Sequence, residues 1–171
     1  MKTSADGKKK WALLLTKPAG PIPTAAELNG GMDFSCNVLE SDIAWSATAS
    51  DRFNEKVSCQ KGNAQALGAS NYDLALTLVR EWLASGTGAD VSGADAAYQA
   101  VKVKDTTVWI YMRETDKDST EPWADGDEIF LGGEVKTDTP TRPNNEGNIK
   151  RRVEFLAQNM ISEVPVAAAG P

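Results

Sequence analysis

The sequence predicts a β-rich α+β domain with one flanking α-helix at about residues 93–103 and long loops. Three observations carry that reading. Apolar residues recur with a period of two in most runs, which lines one face of a strand. Clusters of Gly, Pro, Asn and Asp interrupt those runs densely, and only one substantial stretch changes to helical spacing. With 171 residues, 41% hydrophobic and 25% charged, residues 1–171 hold enough apolar material for a single domain.

The elements follow in order. MKTSADGKKK places Lys8, Lys9 and Lys10 before a five-residue apolar run that ends at Thr16-Lys17-Pro18. A signal-peptide core needs roughly 7–15 apolar residues, so residues 1–10 read as a flexible basic leader entering a first strand. TAAELNGG offers Thr24 as N-cap, Glu27 three positions on and Gly30-Gly31 as a stop, which describes one or two helical turns. MDFSCNV puts Met32, Phe34 and Cys36 on one side of a strand. NYDLALTLVREW sets Tyr72, Leu74, Leu76 and Leu78 opposite Asp73, Ala75, Thr77 and Val79, a half-buried strand.

The period changes in VSGADAAYQAVK. Ser92 is the expected cap with Asp95 at N3, and Ala94, Ala97, Tyr98 and Val101 recur at helical spacing. Alternation returns in TTVWIYMRE, where both the Val108, Ile110, Met112 face and the Trp109, Tyr111 face are apolar, as in a central strand covered on both sides or a strand joined to a neighbour. DEIFLGGEV supplies the next strand, with Gly132-Gly133 marking a bulge or a close backbone approach. KRRVEFLAQNMISEV sets Val153, Phe155, Ala157, Asn159 and Ile161 opposite Glu154, Leu156, Gln158 and Met160, and its flanking turn residues favour a strand over a helix. Residues 164–171 read as a flexible tail.

Composition removes whole classes of function. The chain has no histidine, which nearly excludes zinc sites and histidine-dependent nucleophilic catalysis. Cys36 and Cys59 are too few for a disulfide framework, and no run of about 18 apolar residues is present to span a membrane. No catalytic residue, metal ligand or cofactor is assigned. The formal charge is -6, and it is uneven: residues 1–90 carry 9 cations and 10 anions, residues 91–171 carry 9 and 14. Such a surface does not grip a polyanion, because phosphate affinity comes from Lys and Arg displacing counterions.

The surplus acid is densest in ETDKDSTEPWADGDE, where Glu114, Asp116, Asp118, Glu121, Asp125, Asp127 and Glu128 face one cation, Lys117. A calcium loop would carry a third Asp or Asn where Thr120 stands and a glycine where Glu121 stands, so that reading fails. A carboxylate pair for glycoside hydrolysis has too many candidates and no fixed separation. A solvated hairpin connection is the bland alternative, but Trp123 after Pro122 is a large aromatic in need of a partner.

The ordered combination of TAAELNGGMDFSCNV, NYDLALTLVREW and the stretch from VWIYMRE through the acidic loop to NMISEVPV resembles major tail proteins of long-tailed bacteriophages infecting actinobacteria, over residues 24–166. The resemblance implies a β-sandwich or barrel-like tail tube fold that forms hexameric rings stacked into a hollow tube for DNA ejection. It implies as partners other copies of the chain and further tail proteins (tape measure, tail terminator, distal tail), with DNA passing without specific binding, no membrane contact, assembly in the bacterial host cytoplasm and a final place in the virion tail.

On that footing Asp116, Asp118, Glu121, Trp123 and Asp125 form a candidate self-assembly loop that docks on an adjacent subunit or ring. Lys150, Arg151 and Arg152 form a complementary basic patch, without the interleaved aromatics of a nucleic-acid grip. The alternative from another class is a non-catalytic β-sandwich that binds host or carbohydrate, or decorates a virion, with Trp45, Trp109 or Trp123 stacking on sugar rings.

Overall fold

The computed structural model describes residues 2–170 apart from Gln60, Asn63 and Asn145. Its strands are β1 (Lys9–Leu14), β2 (Met32–Asp33), β3 (Ala44–Thr48), β4 (Arg52–Phe53), β5 (Ala66–Leu67), β6 (Asn71–Val79), β7 (Thr107–Glu114), β8 (Glu128–Thr137) and β9 (Lys150–Pro165). Its α-helices are α1 (Ala25–Gly30) and α2 (Ala96–Val101). Seven strands form one antiparallel sheet in the order β2-β1-β7-β8-β9-β6-β3, and β4 pairs with β5 in a separate ribbon.

The sheet curls on itself. Trp11 of β1 and Trp45 of β3 come from near the two ends of the strand order, yet their rings meet edge to face with centroids 5.2 Å apart. Trp45 also meets Phe155 at 5.9 Å and donates its Nε1–H to the Leu131 carbonyl at 3.0 Å. The curl encloses the main core of a sandwich-like β domain, with Leu76, Val108, Ile110 and Val153 fully buried and Ala97, Tyr98 and Val101 of α2 packed against them. Each such aliphatic side chain contributes about 1.5–3 kcal/mol by leaving water. A second core covers the other face of β1 and β7, where Ala12, Leu14 and Tyr111 meet Leu28 of α1, Trp123 and Val166. The two cores account for β7 being apolar on both faces.

β9 belongs to both halves of the curl. Its residues from Lys150 to Phe155 pair with β6, and those from Phe155 to Pro165 pair with β8. Between them the register shifts: Asn159 opposes Glu134 and Ala157 opposes Val135, leaving Gln158 as the extra residue of a bulge. The face of each later residue changes accordingly, so Val153, Phe155 and Met160 pack on the main core while Ile161 joins the second. The expected uninterrupted alternation from Val153 to Ile161 is therefore corrected. Gly133 beside the bulge has φ 147°, and a Cβ there would sit 2.0 Å from the Asn159 carbonyl oxygen, the close approach expected of Gly132-Gly133.

Two other expectations change. The strand through Cys36 stops at Asp33, because the Asp33 carboxylate accepts from the Ser35 N–H at 3.0 Å and draws the chain into a 3-10 turn, Ser35–Asn37. Cys36 is exposed as a result. The helix expected over about 93–103 spans Ala96–Val101, and Asp95, not Ser92, holds its N-cap position. The Asp95 carboxylate makes no cap hydrogen bond; it is fully buried against Arg80, taking Nε at 2.7 Å and Nη2 at 2.9 Å. By contrast α1 carries the complete capping box, with the Glu27 N–H donating to Thr24 Oγ1 and the Thr24 N–H donating to Glu27 Oε2.

Both ends of the chain enter the fold earlier than their compositions suggested. Lys9 and Lys10 lie in β1, and Val164 and Pro165 lie in β9. Val166 is buried and donates its N–H to the Asp127 carbonyl at 2.8 Å. Met1 and Pro171, the extremities of the expected leader and tail, lie outside the described residues. Among the described residues no helix is long and apolar enough to cross a membrane.

Candidate assembly surfaces

The acidic loop between β7 and β8 is built around Arg113, whose side chain is fully buried. Its Nη1 donates to the Pro122 carbonyl at 3.0 Å and to Asp127 Oδ2 at 2.9 Å. Its Nη2 donates to the carbonyls of Asp118 at 2.8 Å and Glu121 at 3.1 Å. The rigid planar fork of guanidinium suits four fixed acceptors in a way an ammonium does not. Lys117 Nζ reaches Asp127 Oδ1, and the Ala124 N–H donates to Asp127 Oδ2 at 3.0 Å. Burial pushes the Asp127 carboxyl up, but the hydrogen bonds from Lys117, the Ala124 amide and Arg113 outweigh it and hold it below the usual carboxylate range.

Neighbouring elements fasten the same loop. Asn29 of α1 exchanges two hydrogen bonds with the Trp123 backbone, each at 2.9 Å. The Ser119 N–H donates to the Gly7 carbonyl at 2.8 Å, and Lys10, itself buried, donates to the Ser119 carbonyl at 2.9 Å. Trp123 is only 3% exposed; its ring packs in the second core, with the Arg113 guanidinium carbon 5.4 Å from its centroid. Trp123 therefore finds its partner inside its own subunit.

The five expected loop residues divide accordingly. Trp123 faces inward and Asp118 is paired with Lys8 at 2.5 Å, whereas Asp116, Glu121 and Asp125 are exposed. Glu128 joins these outward acids. Among the described residues no three acidic side chains converge closely enough to hold a metal ion.

The basic run opens β9 at the end of the strand remote from Pro165, which opposes Glu128. Arg152 is spent inside the subunit, 2.7 Å from Asp42. Among the described residues the Lys150 and Arg151 side chains donate only to backbone carbonyls, of Glu146 and Lys150 respectively. The other basic run is also engaged internally: Lys8 pairs with Asp118, Lys9 with Glu40 and Glu114, and Lys10 with Asp33.

Two features escaped the sequence reading. Thr48 opposes Asn71, so the described residues between 49 and 70 form an arm that extends the β3-β6 hairpin and includes the β4-β5 ribbon. The arm exposes Phe53 at 58%, Val57 at 58% and Leu67 at 76%. Its only sequence signal is length: a hairpin needs two to five connecting residues. The second is an open edge. Beyond Phe155, β9 pairs with β8 on one side and, among the described residues, with no strand on the other, and exposed Leu156 marks where that edge begins. Of the tryptophans considered for sugar stacking, Trp45 and Trp123 are buried and Trp109 is half-buried.

A family model described as phage tail tube protein matches residues 1–170. No curated protein matches the chain.

Proposed function

The chain belongs to the phage tail tube protein family, whose members are structural components of the virion tail, and from that premise we propose that it builds the tube as stacked hexameric rings conducting DNA out of the capsid. The observation that carries the ring is the open edge of β9. An unpaired edge of this length is a template for a strand from another chain, and a lone subunit gains nothing by exposing it. β3 ends the sheet on a second edge, so a head-to-tail contact between different edges of successive copies closes into a ring when the rotation fits. The arm at residues 49–70 supplies apolar contact to a neighbour through Phe53, Val57 and Leu67.

Charge supports the conduit. A wall that neutralised phosphates would gain about 1 kcal/mol per contact at low salt, repeated at every ring, and moving DNA would meet a series of traps. A chain of formal charge -6 with its acid concentrated in one half leaves DNA free to slide. The reading includes assembly in the cytoplasm of a bacterial host, actinobacterial by the resemblance above, with the tape measure, tail terminator and distal tail proteins as partners. A sugar-binding module is disfavoured, because two of its three candidate stacking tryptophans are buried.

Size-exclusion chromatography and negative-stain electron microscopy of the purified full chain test the proposal. Long polymers of uniform width are expected. A stable small oligomer that binds glycans and forms no tube, even when seeded with tail fragments, overturns it.

A further inference from the structure

Lys8, Arg113 and Lys117 neutralise part of the acidic loop, and two sets of charged side chains outside any ion pair among the described residues lie at opposite ends of β9. Asp116, Glu121, Asp125 and Glu128 are exposed, and among the described residues none has a cation within ion-pair distance. Arg142, Lys150 and Arg151 line a groove of about 190 Å3, with Ile149 58% exposed beside them. Among the described residues no carboxylate lines that groove and none of its three cations forms an ion pair. The two sets belong to opposite ends of β9, since Glu128 opposes Pro165 and Lys150 is the first residue of the strand.

We infer that the groove of Arg142, Lys150 and Arg151 receives the acidic loop of a second copy of this chain, joining successive rings head to tail. The inference rests on the tube reading and names the contact that stacks one ring on the next. Within one chain the two sets do not meet, because Arg113, Lys10 and Asn29 hold the loop at its own end of the strand. The loop is fixed before contact, so its carboxylates are presented without a further ordering cost. Different surfaces meet in this contact, so it repeats in one direction and gives an open, polar stack. Exposed charges of this kind set register and orientation more than affinity, and salt weakens them. The membership of the groove differs from the simple basic run: Arg152 is withdrawn by Asp42, and Arg142 takes its place.

Charge reversal on the full chain tests the contact. Lys150→Glu/Arg151→Glu and, separately, Asp116→Lys/Asp125→Lys should each raise the concentration needed for tube formation by roughly tenfold or more. A chain carrying all four substitutions regains complementarity with itself and should form tubes again. Melting curves establish that each variant is folded. Should a reversed chain fail to fold, the milder Lys150→Gln/Arg151→Gln variant is read instead: wild-type assembly should weaken on raising salt from about 50 mM to about 500 mM, and the variant should lose most of that dependence.

Wild-type tubes with unaltered assembly by folded single-set reversals overturn the contact while leaving the tube reading intact. So does a folded four-substitution chain that stays unassembled, or an unchanged salt response in the glutamine variant. Retention of duplex DNA that depends on Lys150 and Arg151, with tube formation unaffected, assigns the groove to phosphate and also overturns it. Failure of the wild-type chain to polymerise under any of these conditions counts against the tube reading itself.

Discussion

Replacing Arg113 by methionine should detach the acidic loop from the sheet. The guanidinium serves four acceptors, at 3.0 Å and 2.9 Å through Nη1 and at 2.8 Å and 3.1 Å through Nη2. Removing one partner of a buried ion pair costs about 3–5 kcal/mol. Asp127 would keep Lys117 and the Ala124 amide, and the freed loop carbonyls lie near water, so the lower end applies, about 3 kcal/mol. For a domain of this size each kcal/mol lowers Tm by about 2–4 °C, which gives a loss of about 6–12 °C. Arg113→Lys should fall between methionine and wild type, because a single ammonium does not span four acceptors. Thermal melts followed by circular dichroism give the order. Hydrogen exchange locates the effect: the amides of Ser119, Trp123 and Ala124 should lose protection, since their acceptors are Gly7, Asn29 and Asp127. An Arg113→Met chain that melts within about 2 °C of wild type with those amides still protected would refute the hub.

Two further outcomes concern hydrogen-bonded carboxylates and the approach of β8 to β9. Asp33, Asp95 and Asp127 all have folded-state pKa values below their ordinary range, burial opposing the shift and hydrogen bonds overcoming it. As pH falls the unfolded chain takes up protons first, so their stabilisation is complete above about pH 4 and is lost as pH drops through the folded values. Calorimetry should show a falling Tm below about pH 4 and a shallower fall for Asp127→Asn; a Tm that rises on acidification contradicts the sign. Gly133→Ala should cost about 3 kcal/mol or more, because φ is 147° and the new Cβ would meet the Asn159 oxygen at 2.0 Å. An alanine variant that unfolds at the wild-type denaturant concentration shows that β8 and β9 do not approach as described.

What the sequence made legible was local. Thr24 and Glu27 lie three residues apart, and every atom of their capping box comes from that short segment. The two apolar faces of β7 were visible because each face meets its own core, so both registers of the alternation carried signal. Contacts between distant segments overrode local expectation elsewhere. Asp95 suited a helix start by spacing, but Arg80 claims its carboxylate; Asp33 and Ser35 ended a strand that the alternation of Met32, Phe34 and Cys36 would have continued. For Trp123 the reasoning that a loop aromatic needs a partner was sound, and only the tertiary fold supplies the partner's identity. Nothing in the sequence marks the role of Arg113, since three of its four acceptors are backbone carbonyls, which have no compositional signature. The arm was hidden because residues 49–70 have no apolar period to detect.

The fastening of the acidic loop changes where the entropy of assembly falls. Fixing a backbone residue costs about 1–2 kcal/mol, and a loop that ordered only on contact would charge that cost to every new subunit. Here Arg113, Lys10 and Asn29 bear it when the chain folds, so the carboxylate end of the subunit is ready before a neighbour arrives. The arm is the opposite case. Beyond the short β4-β5 pairing its backbone is held near the base by Asp51, whose N–H donates to the Ala69 carbonyl at 2.9 Å and whose carbonyl accepts from Gly68 at 2.7 Å. Its apolar side chains lie in solvent. In the proposed tube such a subunit would present one rigid charged end, to set direction and register, and one arm whose burial would supply apolar energy only once a neighbour is in place. On that proposal growth would depend on meeting several neighbours together, because ordering the arm would cost more than a single charged contact returns.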